Sequence, residues 1–164
     1  MANPLAPKNL RVPKDINDFP ASIWPRDARR QATGDLEIAG VAASELTSQF
    51  GTPLYVIDED EFRRRATEVR EALESAAASI GTKAKVYYAG KAFLSAAVVK
   101  WIDELGLNID VASGGELALA LASGIDPKRI GLHGNNKSLA EIGKAVSAGI
   151  GAIVVDSEIE IERI

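Results

Sequence analysis

The chain is expected to be an α/β protein built on a parallel sheet. Three observations predict it. From Lys83 onward, short apolar runs alternate with amphipathic helical patterns four times. Three of the helical patterns open on Ser-x-x-Glu, at Ser113/Glu116, Ser138/Glu141 and Ser157/Glu160. Three of the four close on a glycine, at Gly106, Gly124 and Gly149.

The elements follow in chain order. Residues 1–25 carry five of the seven prolines, so Pro4, Pro7, Pro13, Pro20 and Pro25 forbid a regular helix. An extended arm is expected there. Between Arg26 and Ile38 the run Thr33-Gly34-Asp35 signals the turn of a short hairpin. Ala42 to Phe50 reads as a short helix stopped by Gly51. Leu54-Tyr55-Val56-Ile57 reads as a short strand, and Asp58 as the cap of the next helix. In that helix Phe62, Ala66, Val69, Leu73 and Ala76 form the apolar stripe. Arg63, Arg64, Arg65, Glu68 and Glu71 are assigned to its wet face.

The repeated units come next. Strand one is expected at Ala84 to Ala89, with a helix using Leu94, Val98, Trp101, Ile102 and Leu105. Strand two is Asn108 to Ala112, strand three Ile130 to His133, and strand four Ala152 to Val155. Each is followed by its helix. The domain reading is an arm and hairpin over 1–45, then an α/β domain over 46–164 with four βα units from residue 83.

Composition excludes several classes of function. The net charge of −4 offers no basic footprint for nucleic acid. The chain has no cysteine, which rules out disulfides and thiol chemistry and fits a cytoplasmic setting. No apolar run reaches the roughly 20 residues of a membrane span. No residue cluster suggests a metal site.

Each unit ends its strand on a polar residue. These are Lys91, Asp110, His133 and Asp156, separated by 19, 23 and 23 residues. Parallel βα strands point their carboxyl ends one way, so the four should gather at one mouth. Alternation would put Tyr87, Ala89 and Lys91 on one face. Lys91 has two readings. A lysine in an apolar wall loses solvation, favouring a neutral amine that can hold a carbonyl as a Schiff base. It can equally snorkel at a strand end. His133, the only histidine, is either a hydrogen-bonded structural residue or a site residue. Glu116 is a partner in the Ser113 cap, a support for a cofactor, or both. Gly114-Gly115 at a helix start could cradle a phosphate.

Several runs carry a family resemblance. Phe50-Gly51-Thr52-Pro53-Leu54-Tyr55-Val56-Ile57-Asp58 resembles the opening of the alanine-racemase-like pyridoxal phosphate enzymes, above all their amino-acid decarboxylases. Tyr87-Tyr88-Ala89-Gly90-Lys91-Ala92 resembles their cofactor-lysine motif. Asp110-Val111-Ala112-Ser113-Gly114-Gly115-Glu116-Leu117 resembles the motif beside the cofactor. His133-Gly134-Asn135-Asn136-Lys137-Ser138 is similar to a run typical of the diaminopimelate decarboxylases, and Val154-Val155-Asp156-Ser157 resembles a fourth motif. Trp24-Pro25-Arg26 and Gly34-Asp35-Leu36 look like the actinobacterial members of that group.

The resemblance implies a pyridoxal phosphate-dependent (β/α)8 TIM-like barrel, joined through the N-terminal arm to a C-terminal β-domain. It implies that Lys91 bonds pyridoxal 5'-phosphate, with Asp110, Glu116 and His133 close to the cofactor, and it argues against Gly114-Gly115 as the phosphate cradle, because the family holds its phosphate elsewhere. The implied activity is decarboxylation of meso-2,6-diaminopimelate to L-lysine, by a homodimer with sites completed across its interface. A barrel takes about 250 residues. Only 82 follow from Lys83, so the chain is expected to be the first half of the barrel, inactive alone. The alternatives are a relative acting on ornithine, arginine or carboxynorspermidine, and a barrel that binds pyridoxal phosphate without catalysis.

Overall fold

The computed structural model describes residues 15, 17, 19, 20 and 22–164. The arm prolines Pro4, Pro7 and Pro13 lie outside the described residues. The chain divides into two compact units, Met1–Phe62 and Arg63–Ile164.

The first unit holds a small antiparallel sheet. Its strands are β1 (Arg29–Arg30), β2 (Leu36–Ile38) and β3 (Val41–Ala42), in the order β1-β2-β3. The hairpin expected around Gly34 is present, with Arg30 paired to Leu36. The third strand was not expected. It follows a two-residue turn at Ala39 and Gly40, both at positive φ (51° and 76°), the twist that suits a tight hairpin. Helix α1 (Ala43–Phe50) comes next, and Gly51, at φ 80°, ends it.

Leu54–Ile57 forms no strand, contrary to expectation. Tyr55 is 94% exposed, and among the described residues no ladder pairs with this run. A strand pattern without a neighbouring edge has nothing to bond to. Asp58 does cap helix α2 (Glu59–Ser79), accepting from the Glu61 amide at 3.0 Å.

Helix α2 corrects a second expectation. Val69 and Leu73, placed on its apolar stripe, are about half exposed. Two of its arginines instead turn inward. Arg63 lies over the Trp101 ring and pairs with Glu104 at 2.6 Å. Arg70 donates to the Leu105 carbonyl at 2.7 Å. Long side chains bury their stems and spend their donors on carbonyls at a helix end.

The second unit is the repeated βα domain. Its strands are β4 (Tyr87–Ala89), β5 (Asn108–Val111), β6 (Ile130–Leu132) and β7 (Ala152–Ile153). They form one parallel sheet in the order β4-β5-β6-β7. The helices between and after them are α3 (Ala96–Glu104), α4 (Gly114–Ala122), α5 (Leu139–Ala148) and α6 (Glu158–Arg163). Strand one is shorter than expected, and Leu94 precedes α3, whose cap is Ser95.

One face of this sheet is the core. Ile109, Val111, Ile130 and Leu132 point to it and are essentially fully buried. Val98, Val99 and Ile102 from α3, Leu117 and Ala120 from α4, and Ile142 and Ala145 from α5 are equally buried. The period of two along each strand leaves the opposite face to Tyr87, Ala89, Asp110, Gly131 and Ala152.

The three Ser-x-x-Glu starts resolve differently. Only Ser138/Glu141 forms the full capping box. Ser113 accepts from the Glu116 amide, but the Glu116 carboxylate reaches past it to the Ala112 amide at 2.7 Å. Ser157 makes no side-chain cap, and the Glu160 carboxylate takes the Asp156 amide at 2.9 Å. In both cases the glutamate grips the residue before the serine, where the strand's polar end begins.

Candidate active site

The open face of the sheet carries a cavity of about 390 Å³. Tyr87, Ala89, Asp110, Gly131, His133, Ala152 and Val154 line it, drawn from all four units. Gly131 makes room in its floor. A Cβ there would lie 3.3 Å from the Tyr87 ring and 3.7 Å from Asp110 Oδ1.

The cavity brings two of the expected site residues together. His133 Nδ1 lies 3.6 Å from Asp110 Oδ2, too long for a direct hydrogen bond but close for two polar groups over an apolar floor. His133 follows β6 directly and is placed by its amide, which donates to the Val111 carbonyl at 2.8 Å. Asp110 sits within β5, and alternation points it to the cavity rather than to the core.

Lys91 is not among the residues that line the cavity. It lies in a single 3-10 turn, Gly90–Ala92, directly after β4. That turn breaks the alternation at Ala89, so Lys91 does not continue the Tyr87–Ala89 face as expected. Its side chain is exposed, and the apolar wall expected around it is not supplied by the described residues. The turn itself is firmly built. The Tyr88 hydroxyl donates to the Phe93 carbonyl at 2.7 Å, and burial raises the Tyr88 pKa. Gly90 is buried against the next strand, and a Cβ on it would meet the Asp110 carbonyl at 3.0 Å. Tyr88 stands within the run that resembles the cofactor-lysine motif, but its part in bracing the turn was not expected.

Glu116 is half-buried outside the cavity lining, and its carboxylate is engaged by the Ala112 amide. The same carboxylate lies 3.4 Å from where a Gly90 Cβ would stand, so Glu116 fills the joint between the Lys91 turn and the Asp110 strand. The Gly114 amide, considered above as a phosphate cradle, already donates to Glu141 Oε1 at 2.7 Å. A Cβ on Gly114 would lie 2.9 Å from Glu141 Cγ. The amides of Ser138 and Gly114, with the Ser138 hydroxyl, hold the Glu141 carboxyl below its usual range.

Asp156, the fourth polar strand end, turns away from the cavity toward Lys137, at 3.4 Å. Lys137 is 3% exposed and Glu160 2% exposed, and they pair at 3.0 Å. The residue pattern gave no sign of this buried pair. Among the described residues no group of side chains could hold a metal ion, and no helix is long and apolar enough to cross a membrane.

A parallel βα sheet with a cavity at its carboxyl edge that holds a carboxylate and an imidazole is the arrangement in which α/β folds bind ligands. The protein-family model described as "Pyridoxal-dependent decarboxylase, pyridoxal binding domain" matches residues 60–164. The chain belongs to that family, and its fold is the corresponding part of the pyridoxal phosphate-binding barrel.

Within the family the chain groups with the diaminopimelate decarboxylases. It is 48% identical over 158 residues to that of Mycobacterium leprae, covering 96% of this chain and 32% of the relative. It is 51% identical over 143 residues to that of Mycobacterium tuberculosis, covering 87% and 30%. The crystal structure of diaminopimelate decarboxylase from M. jannaschii superposes with a TM-score of 0.73 at 33% identity, covering 84% of this chain and 31% of that one. The chain thus spans about a third of the length of the curated relatives it matches.

The family's cofactor is pyridoxal phosphate. The cavity suits the ring of such a group, with an aromatic and small apolar lining, a floor opened by Gly131, and one carboxylate and one imidazole as polar contacts.

Proposed function

We propose that the full-length protein carrying this chain decarboxylates meso-2,6-diaminopimelate to L-lysine, and that Lys91 is the residue that bonds pyridoxal phosphate. The observation that carries the reading is the exposed Lys91 at the carboxyl end of the first parallel strand, in a turn braced by Tyr88 and Gly90. A lysine on a rigid turn, with its amine uncommitted among the described residues, is available for covalent work.

The other residues have distinct tasks. Asp110 and His133 present a carboxylate and an imidazole from the cavity floor and would contact the polar substituents of the ring. Glu116 holds the Ala112 amide, and so steadies the segment that follows Asp110. Bound pyridoxal phosphate supplies an electron sink for the bond broken when carbon dioxide leaves. The chain's own residues supply anchoring, orientation and a fixed polar floor. The reading includes a cytoplasmic homodimer, which sedimentation of the full-length protein tests.

The test is an assay of the loaded full-length protein on meso-2,6-diaminopimelate, ornithine, arginine and carboxynorspermidine. L-lysine formed from the first, with little turnover of the rest, is the expected result. Preference for another substrate would move the protein within its family. Cofactor binding without turnover of any would make it a binding protein.

A further inference from the structure

We infer that Lys137 is a positioning residue of the candidate site, locking the loop that carries His133 onto the βα unit that follows. This rests on the reading of the cavity as the cofactor site.

The ammonium of Lys137 is enclosed, with its side chain 2% exposed. It donates to the Gly134 carbonyl at 2.5 Å and to Glu160 Oε1 and Oε2 at 3.1 and 3.0 Å, with Asp156 Oδ2 at 3.4 Å. The contacts lie on both sides of a junction. Gly134 belongs to the loop after β6, one residue past His133, whereas Asp156 and Glu160 belong to the unit of β7 and α6. Arg163 adds a second tie, donating to the Lys137 carbonyl at 3.2 Å.

The loop is also pressed against the preceding strand. Gly134 has φ +117°, and a Cβ on it would lie 3.1 Å from the Ala112 carbonyl. A bulkier or looser residue there would lift the loop. Between the fixed ends, Asn135 and Asn136 are exposed. Lys137 is therefore what closes the loop, and with it the range of positions open to His133 beside Asp110. The Asp156 amide and Lys137 keep the Glu160 carboxyl below its usual range. Burying an ion pair seldom stabilises a fold more than apolar side chains of similar size would. What the pair adds over apolar packing is direction, since Lys137 also reaches the Gly134 carbonyl and Glu160 also accepts from the Asp156 amide.

The experiment uses the full-length protein as wild type, Lys137→Met, and the double variant Lys137→Met/Glu160→Leu. The double variant replaces the ion pair by apolar groups and removes the unpaired buried charge. It is expected to melt near the wild type, yet to bind pyridoxal phosphate about tenfold more weakly and to lose kcat by about tenfold or more. Cofactor affinity is read by absorbance titration of cofactor-free protein. A double variant with wild-type affinity and kcat would overturn the inference. A second measurement needs no variant. In the wild type, hydrogen exchange at the Asp156 amide, which donates to Glu160, should be slow, and exchange as fast as in an open loop would overturn it. If the wild type takes up no pyridoxal phosphate, the site reading fails, while the exchange result still reports on the lock.

Discussion

Two lysines sit just past the carboxyl ends of two parallel strands, in opposite states. Lys91 follows β4, is exposed, and makes no hydrogen bond or ion pair among the described residues. Its turn is held by the Tyr88 hydroxyl and the close fit of Gly90, with the Glu116 carboxylate in the joint behind it. Lys137 follows β6, is buried, and has its charge met by Gly134, Asp156 and Glu160. One edge is braced so that its lysine is left over. The other is braced by its lysine. The charge of Lys137 is already met by its partners and holds two segments together, whereas the described residues leave Lys91 without such a task.

The largest effect expected to follow from this contrast is at Lys91. Lys91→Ala in the full-length protein should abolish pyridoxal absorbance and reduce turnover to background. Its unfolding free energy should stay within about 0.5 kcal/mol of wild type, as for an exposed side chain without structural partners. Denaturant titration beside the assay checks both halves, and a large stability loss would break the contrast.

Gly90→Ala comes next. Its Cβ would press on the Asp110 carbonyl, a backbone atom that cannot swing aside, at a cost of about 1–3 kcal/mol. Activity should fall with it, because the displaced turn carries Lys91. Thermal unfolding and kcat, measured on the same preparation, test whether the brace and the chemistry are linked.

Tyr88→Phe should cost about 0.5–1.5 kcal/mol by removing the bond to Phe93. A matching loosening of Lys91 should appear as weaker cofactor binding in an absorbance titration.

The smallest effect concerns acid. Glu141 is held below its ordinary value of 4.5 by Ser138 and Gly114, and Glu160 by Asp156 and Lys137. A carboxyl with a lowered folded pKa adds stability above its unfolded pKa, and loses it as pH falls through the folded one. Melting temperature should therefore drop between about pH 5 and pH 3. Glu141→Gln should flatten part of that drop, by removing one of the carboxylates whose protonation drives it.

Much of this architecture was legible in the residues. The βα rhythm, the starts at Ser113 and Ser138 and the stops at Gly124 and Gly149 are local signals, and local signals survive folding. Asp110 and His133 could be placed at one mouth because parallel strands share a direction. What could not be read was non-local. The Lys137–Glu160 pair joins residues 23 apart through burial that neither residue advertises. The 3-10 turn at Lys91 escaped because alternation says nothing about where a strand stops. The inward arginines of α2 escaped because a charged side chain on a helix carries no local sign of which way it turns. Leu54–Ile57 has the composition of a strand but no edge to pair with.

The most direct test of the account is to reduce the cofactor-loaded full-length protein with borohydride, which fixes pyridoxal covalently to the amine that holds it, and then to map the modified peptide by mass. The account predicts a single pyridoxyl adduct on Lys91 and none on Lys137. An adduct on any other lysine, or no adduct in a protein that retains bound cofactor, would contradict it.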